Sequence, residues 1–163
     1  MTPRGAPEAG DVVVDQARVG PGALSVTVGT QVPAGLADVL VPGPGCGSPA
    51  PLLTVNGLPI VPNQGFGLNV ATQPSATAFV HVAFGDDNVL FSGCNVYLDP
   101  NFFLIGSTTA DGSGAAQLAF PLPPDLSLDG LHLTWQAAVT MSGGPFLGFL
   151  ELSNGIETIL ACR

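Results

Sequence analysis

Residues 131–140 read Leu131-His132-Leu133-Thr134-Trp135-Gln136-Ala137-Ala138-Val139-Thr140. Leu131, Leu133, Trp135, Ala137 and Val139 hold one phase, and the more polar residues hold the other. Five consecutive alternations are the pattern of a half-buried strand. A helix would spread the same apolar residues around its whole circumference. No Asp, Glu, Lys or Arg occurs from Leu131 to Leu150, which raises a membrane span as a rival reading. It fails because Gly143-Gly144-Pro145 breaks the stretch and the apolar residues alternate rather than run on.

The same two-residue period extends outward. Phe66, Leu68 and Val70 share a phase, as do Ala78, Val80, Val82 and Phe84, then Cys94, Val96 and Leu98, then Ala116, Leu118 and Phe120. Leu53 and Val55 precede the turn pair Asn56-Gly57. Phe102 to Ile105 is apolar throughout. Phe146 to Leu152 and Ile156 to Leu160 read as closing strands, with Asn154-Gly155 between them. Gly85-Asp86-Asp87-Asn88 and Asp111-Gly112-Ser113-Gly114 read as turns. Short strands at intervals of about ten residues predict an all-β fold, an antiparallel β-sandwich of Ig-like or jelly-roll-like type.

Composition agrees. The chain has 163 residues, of which 22 are glycine and 16 proline, too many breakers for a helical bundle. The glycines lack the three-residue period of collagen. Hydrophobic residues make up 46%, which excludes disorder driven by charge. Only 9% of residues are charged, the net charge is −9, and the cations are three arginines with no lysine. Three arginines cannot neutralise a phosphate backbone, so nucleic acid is excluded as a partner.

The length suits one domain with an appendage. The densest breaker cluster, Pro42-Gly43-Pro44-Gly45-Cys46-Gly47-Ser48-Pro49, is read as the joint between an N-terminal arm (1–41) and the sandwich (42–163). Within the arm, Val12-Val13-Val14 and Leu24, Val26, Val28 suggest two strands around Gly20-Pro21-Gly22, and 36–41 a third. Two strands alone are marginal in water. They must pair with the chain's own sandwich or with the open edge of another copy, and both options stand. In the second case Val12, Val14, Leu24, Val26 and Val28 form the strand-exchange segment, and the protein is a homo-oligomer or homopolymer. Lysine is a common guard of exposed sheet edges, and this chain has none.

Other candidate sites read as structural. No GxSxG element occurs, and Cys94 has no charged neighbour in sequence to make it a thiolate, so no enzyme is expected. His81 and His132 lie on polar strand phases. Asp86-Asp87-Asn88, Asp99-Pro100-Asn101 and Asp111-Gly112-Ser113-Gly114 are oxygen-rich, and Ca²⁺ favours such ligands. Turn chemistry accounts for them as well, and the reading adopted is no cofactor, with Ca²⁺ the alternative. Trp135 falls on the apolar phase and is expected in the core, which weakens the rival function of a carbohydrate-binding adhesin for a surface polysaccharide. No apolar stretch follows Met1-Thr2-Pro3-Arg4, so no signal peptide is read.

One ordered set of residues is shared with a known family. It runs Gly45-Cys46-Gly47-Ser48, Ser92-Gly93-Cys94, Phe120-Pro121-Leu122-Pro123, Leu133-Thr134-Trp135-Gln136-Ala137 and Ser153-Asn154-Gly155-Ile156-Glu157. This order resembles the Gly/Pro-rich domain at the C-termini of large secreted proteins of planctomycete-type bacteria. The resemblance covers about residues 43–160. It implies an extracellular or cell-surface β-sandwich without catalytic residues, in which Cys46, Cys94, Gln136 and Asn154 are structural. It also implies a Cys46–Cys94 disulfide; two reduced thiols or a Cys46–Cys162 bridge are the alternatives. Cys162 has no counterpart in the family pattern and is left free or paired with another subunit. Together these features lead to the expectation of a non-enzymatic structural subunit of a filament or surface layer.

Overall fold

The computed structural model describes residues 16–20, 23–27 and 37–162. They fall into two compact units, Met1–Pro33 and Ala34–Arg163. The first contains an antiparallel hairpin of β1 (Gln16–Gly20) and β2 (Ala23–Thr27), with Gly20 opposite Ala23 and Gln16 opposite Thr27. Two residues separate the strands, the loop length of a tight hairpin. Of the proposed exchange residues, Leu24 and Val26 lie in β2, opposite Val19 and Ala17. Val12, Val14 and Val28 lie outside the described residues.

The second unit is all-β, with two antiparallel sheets, one short parallel pair and a separate hairpin. Its strands are β3 (Asp38–Leu40), β4 (Leu52–Asn56), β5 (Ile60–Val61), β6 (Gly67–Ala71), β7 (Thr77–Ala83), β8 (Asp86–Phe91) and β9 (Cys94–Leu98). They continue with β10 (Phe103–Thr109), β11 (Ala115–Ala119), β12 (His132–Thr140), β13 (Leu150–Leu152), β14 (Ile156–Ile159) and β15 (Ala161–Cys162). The main sheet runs β10-β7-β12-β14-β3, with β13 also on β12; the second runs β11-β6-β4. β5 pairs with β15 in parallel, and β8 with β9 in a separate hairpin.

The stretch 131–140 is the centre of this unit. β12 pairs with β7 on one side and with β13 and β14 on the other. Its apolar phase meets Leu53, Phe66, Leu68 and Val70 from the second sheet and its loops. Trp135 is fully buried, with ring centroids 6.4 Å from Phe66 and 5.0 Å from Phe120. Its indole N–H donates to Thr158 Oγ1 at 2.9 Å, so the one polar atom is satisfied inside the core.

Two sequence readings shift. β3 pairs with β14, Leu40 opposite Glu157, so the compact unit begins at Ala34 and the Pro/Gly stretch lies inside it. Backbone pairing, not composition, sets that boundary. Asp86-Asp87-Asn88 is not a turn but opens β8, with a register shift between Asp86 and Val89. The turn is at Ser92-Gly93, where φ is 51° and 80°. Two central residues with positive φ are the signature of a tight hairpin that follows strand twist.

Cys46 and Cys94 form a disulfide, with Cα atoms 5.5 Å apart and 48 residues apart in sequence. It fastens the loop after β3 to β9. Closing a loop of that length restrains the unfolded chain by about 4 kcal/mol in the entropy model. Replacing both cysteines by serine should lower unfolding free energy by about that amount, read by guanidinium titration with and without reductant. Reductant should destabilise the parent chain and leave the double variant unaffected.

Candidate interaction surface

The outer face of the main sheet is organised by one glutamine. Gln136 sits on the polar phase of β12 yet is buried. Its Oε1 accepts the Tyr97 N–H at 3.1 Å. Its Nε2 donates to the carbonyls of Asn95 and Ser153, both at 3.0 Å. The side chain thus holds β9 flat against the middle of the sheet. The Ser153 hydroxyl accepts the Ala137 N–H at 2.9 Å and donates to the Asn154 carbonyl at 2.8 Å. Asn154 then reaches the second sheet: Oδ1 accepts the Leu53 N–H at 2.7 Å and Nδ2 donates to the Leu53 carbonyl at 3.1 Å. Its amide imitates a strand neighbour for β4. Tyr97 donates its hydroxyl to the Pro44 carbonyl at 2.9 Å. Gly155 lies so close under the Tyr97 ring and Pro42 that a Cβ there would collide with both.

With β9 clamped, the hairpin covers only part of the outer face. Beside it lies a pocket of about 210 Å³. His81, Val96, Leu98, Phe102, Ala137, Ala138, Phe146, Leu150 and Leu152 line it. The Gln136 side chain also borders it, but its amide is already engaged. His81 stacks edge-on with Phe102, centroids 5.4 Å apart. Burial pushes its imidazole below 6.5, against the opposing pull of hydrogen bonds to the backbone of Phe79 and Gln136. The ring is therefore neutral at pH 7, and the pocket carries no charge of its own.

Large apolar side chains stand exposed beside this pocket and along the adjoining sheet edge. Phe102, Phe103 and Leu104 are consecutive and each about half exposed. Among the described residues β10 is hydrogen-bonded only to β7 and is thus a sheet edge. Phe103 packs on the exposed Phe84 at 6.1 Å. Phe91 packs on Phe146 at 5.7 Å. Leu147 is exposed with φ at +55°, a region that a bulky residue rarely occupies. Residues 37–162 contain nine carboxylates and neither lysine nor arginine. No cationic side chain of that span blunts these edges.

The other residues singled out in the sequence are accounted for locally. Asp111 Oδ1 accepts the N–H groups of Ser113 and Ala115 and the Ser113 hydroxyl, and Asp99 Oδ1 accepts from Asn101. Among the described residues no three His, Cys, Asp or Glu side chains gather to hold a metal. Cys162 is free and half-buried; burial, then the charges of Asp129 and Asp125, push its thiol up, away from a reactive thiolate. Trp135 and Tyr97 are buried, so neither offers a ring to a sugar. Among the described residues no helix is long and apolar enough to cross a membrane. Sequence reasoning missed Phe91, Phe102–Leu104 and Leu147 as surface residues, because strand periodicity marks a residue as apolar without saying whether a second layer covers it.

No protein-family model matches the chain, and no curated protein or solved structure is significantly similar to it.

Two consequences can be measured. Gln136→Leu keeps the volume but strands one buried N–H and two carbonyls. At about 1–3 kcal/mol for an unsatisfied buried group, it should cost at least about 3 kcal/mol in chemical denaturation. Glu157 on β14 is held above its ordinary 4.5 by burial and then by the Asp86 charge, partly offset by His132. Its ionisation therefore opposes folding, and its contribution is lost as pH rises from below 4.5 through the raised value. Glu157→Gln should be more stable than the parent at pH 7, and the difference should vanish well below pH 4.5 in melting curves.

Proposed function

We propose that this protein is a non-enzymatic, extracellular structural subunit that assembles with copies of itself into a filament or surface layer. The observation that carries the reading is β10. It is a sheet edge whose first two residues, Phe103 and Leu104, are, like Phe102 just before them, apolar and exposed. An exposed hydrophobic edge is a template for another strand, and natural monomers normally blunt it with lysine, proline or cover. The N-terminal arm supplies the donor: a short hairpin unit, marginal alone, carrying Leu24 and Val26 in β2. Strand addition from arm to neighbouring edge is head-to-tail and so propagates. The Cys46–Cys94 disulfide supports an oxidising, extracellular setting. A surface-polysaccharide adhesin remains the second reading, and the burial of Trp135 and Tyr97 weighs against it.

Deleting residues 1–33 tests the arm without removing β3 from its sheet. The intact chain should elute as large species with light scattering rising with concentration. The truncated chain should give only small species, no larger than a dimer. Continued growth of the truncated chain into polymers would rule out strand exchange by the arm.

A further inference from the structure

The pocket on the outer face and the turn beside it have complementary form. Residues 141–149 make a closed loop, with the Met141 N–H donating to the Phe149 carbonyl at 2.9 Å. Leu147 stands at its tip, half exposed, in left-handed backbone conformation, and its N–H donates to Ser92 Oγ at 3.3 Å. Phe146 of the same turn faces the pocket. The molecule therefore carries an apolar knob and an apolar hole on one surface.

We infer that this face is a self-complementary dimer interface, in which the Leu147 turn of each copy enters the pocket of the other. Four features support it. The first is size: an apolar cavity of about 150 Å³ admits benzene, so a pocket of about 210 Å³ has room for a leucine or phenylalanine side chain. The second is area. Val89, Phe91, Phe102, Leu104, Leu147 and Phe149 are each between 46% and 56% exposed. At roughly 200 Å² per large side chain they present on the order of 500–600 Å² of apolar surface. A standard interface takes about 800 Å² from each partner, a little over half of it apolar, which is about 450–500 Å².

The third feature is continuity. Val89 lies opposite Val96 and Leu104 opposite His81, both pocket residues, while Phe102 lines the pocket and Phe91 stacks on Phe146, which also lines it. The fourth is charge. A net charge of −9 opposes association of copies, least at a face that adds no like charges of its own, and the pocket lining holds no carboxylate and one titratable side chain, His81. Knob and hole on the same face make the contact isologous, so it closes at two copies. Leu147 pays backbone strain to present an apolar side chain to solvent, which a contact with a second copy explains and an isolated monomer does not.

This contact lies entirely within residues 34–163 and does not rest on strand exchange by the arm. That unit contains the apolar core formed by the described residues and the disulfide. Sedimentation equilibrium of residues 34–163 should show a monomer–dimer equilibrium with a micromolar dissociation constant. Leu147→Asn suits the left-handed conformation better than leucine does, so at concentrations where both are monomeric it should melt no lower than the parent, and Ala138→Phe should fill the hole. Each should weaken dimerisation at least tenfold, and neither should change the circular dichroism spectrum. A parent that stays monomeric, or a dimer that persists in Leu147→Asn, would overturn the inference. A parent that binds only a small apolar probe such as benzene, without dimerising, would overturn it too.

Discussion

The second unit depends on the chain of amide and hydroxyl groups formed by Gln136, Ser153 and Asn154. These three side chains join elements far apart in sequence: Gln136 reaches β9, and Asn154 reaches β4. Each is buried, and an unpaired buried amide costs more than a paired one gains. The network is therefore a register device. It fixes where β9 lies on the main sheet and how the second sheet meets the segment between β13 and β14. The disulfide restrains the same region covalently, since Cys94 opens β9 and the Cys46 N–H donates to Leu152 one residue before Ser153.

That constraint explains how the outer face divides. The clamped hairpin turns Thr134 and Gln136, the polar phase of β12, into buried positions. It leaves uncovered the neighbouring strip over His81 and Ala138. The aromatic surface is thus a consequence of where the hairpin is pinned. A sandwich whose second face was fully covered would have no such strip, and one whose second face was solvated would carry polar residues there. This face is apolar and partly open, which is the condition for contact with another molecule.

Much of the architecture was legible in the sequence. The alternation at 131–140 marked the central strand, and Phe66, Leu68, Val70, Val80 and Val82 marked the facing core, because burial of one strand face imposes a two-residue period. Trp135 was placed correctly for the same reason. The polar phase was harder. Gln136 looks like a solvent residue until its backbone partners at Asn95 and Tyr97 are known, and nothing local signals a partner some forty residues away. β8 was hidden because Asp86-Asp87-Asn88 has turn composition, while the true turn, Ser92-Gly93, is equally consistent with a loop. The boundary of the arm was misplaced because β3 joins the sheet by long-range pairing with β14, which breaker residues at 42–49 do not report.

The resemblance to secreted planctomycete-type domains is a sequence expectation, and the structure gives its shared residues concrete work: Cys46 and Cys94 are bonded, and Gln136 and Asn154 are clamps. On the proposed reading, the chain joins copies of itself. Electron microscopy of the purified intact protein, across a range of concentrations and under oxidising conditions, tests it most directly. Regular filaments or sheets with a repeat on the scale of one folded unit are the predicted result. A field of separate single particles at every concentration would contradict it.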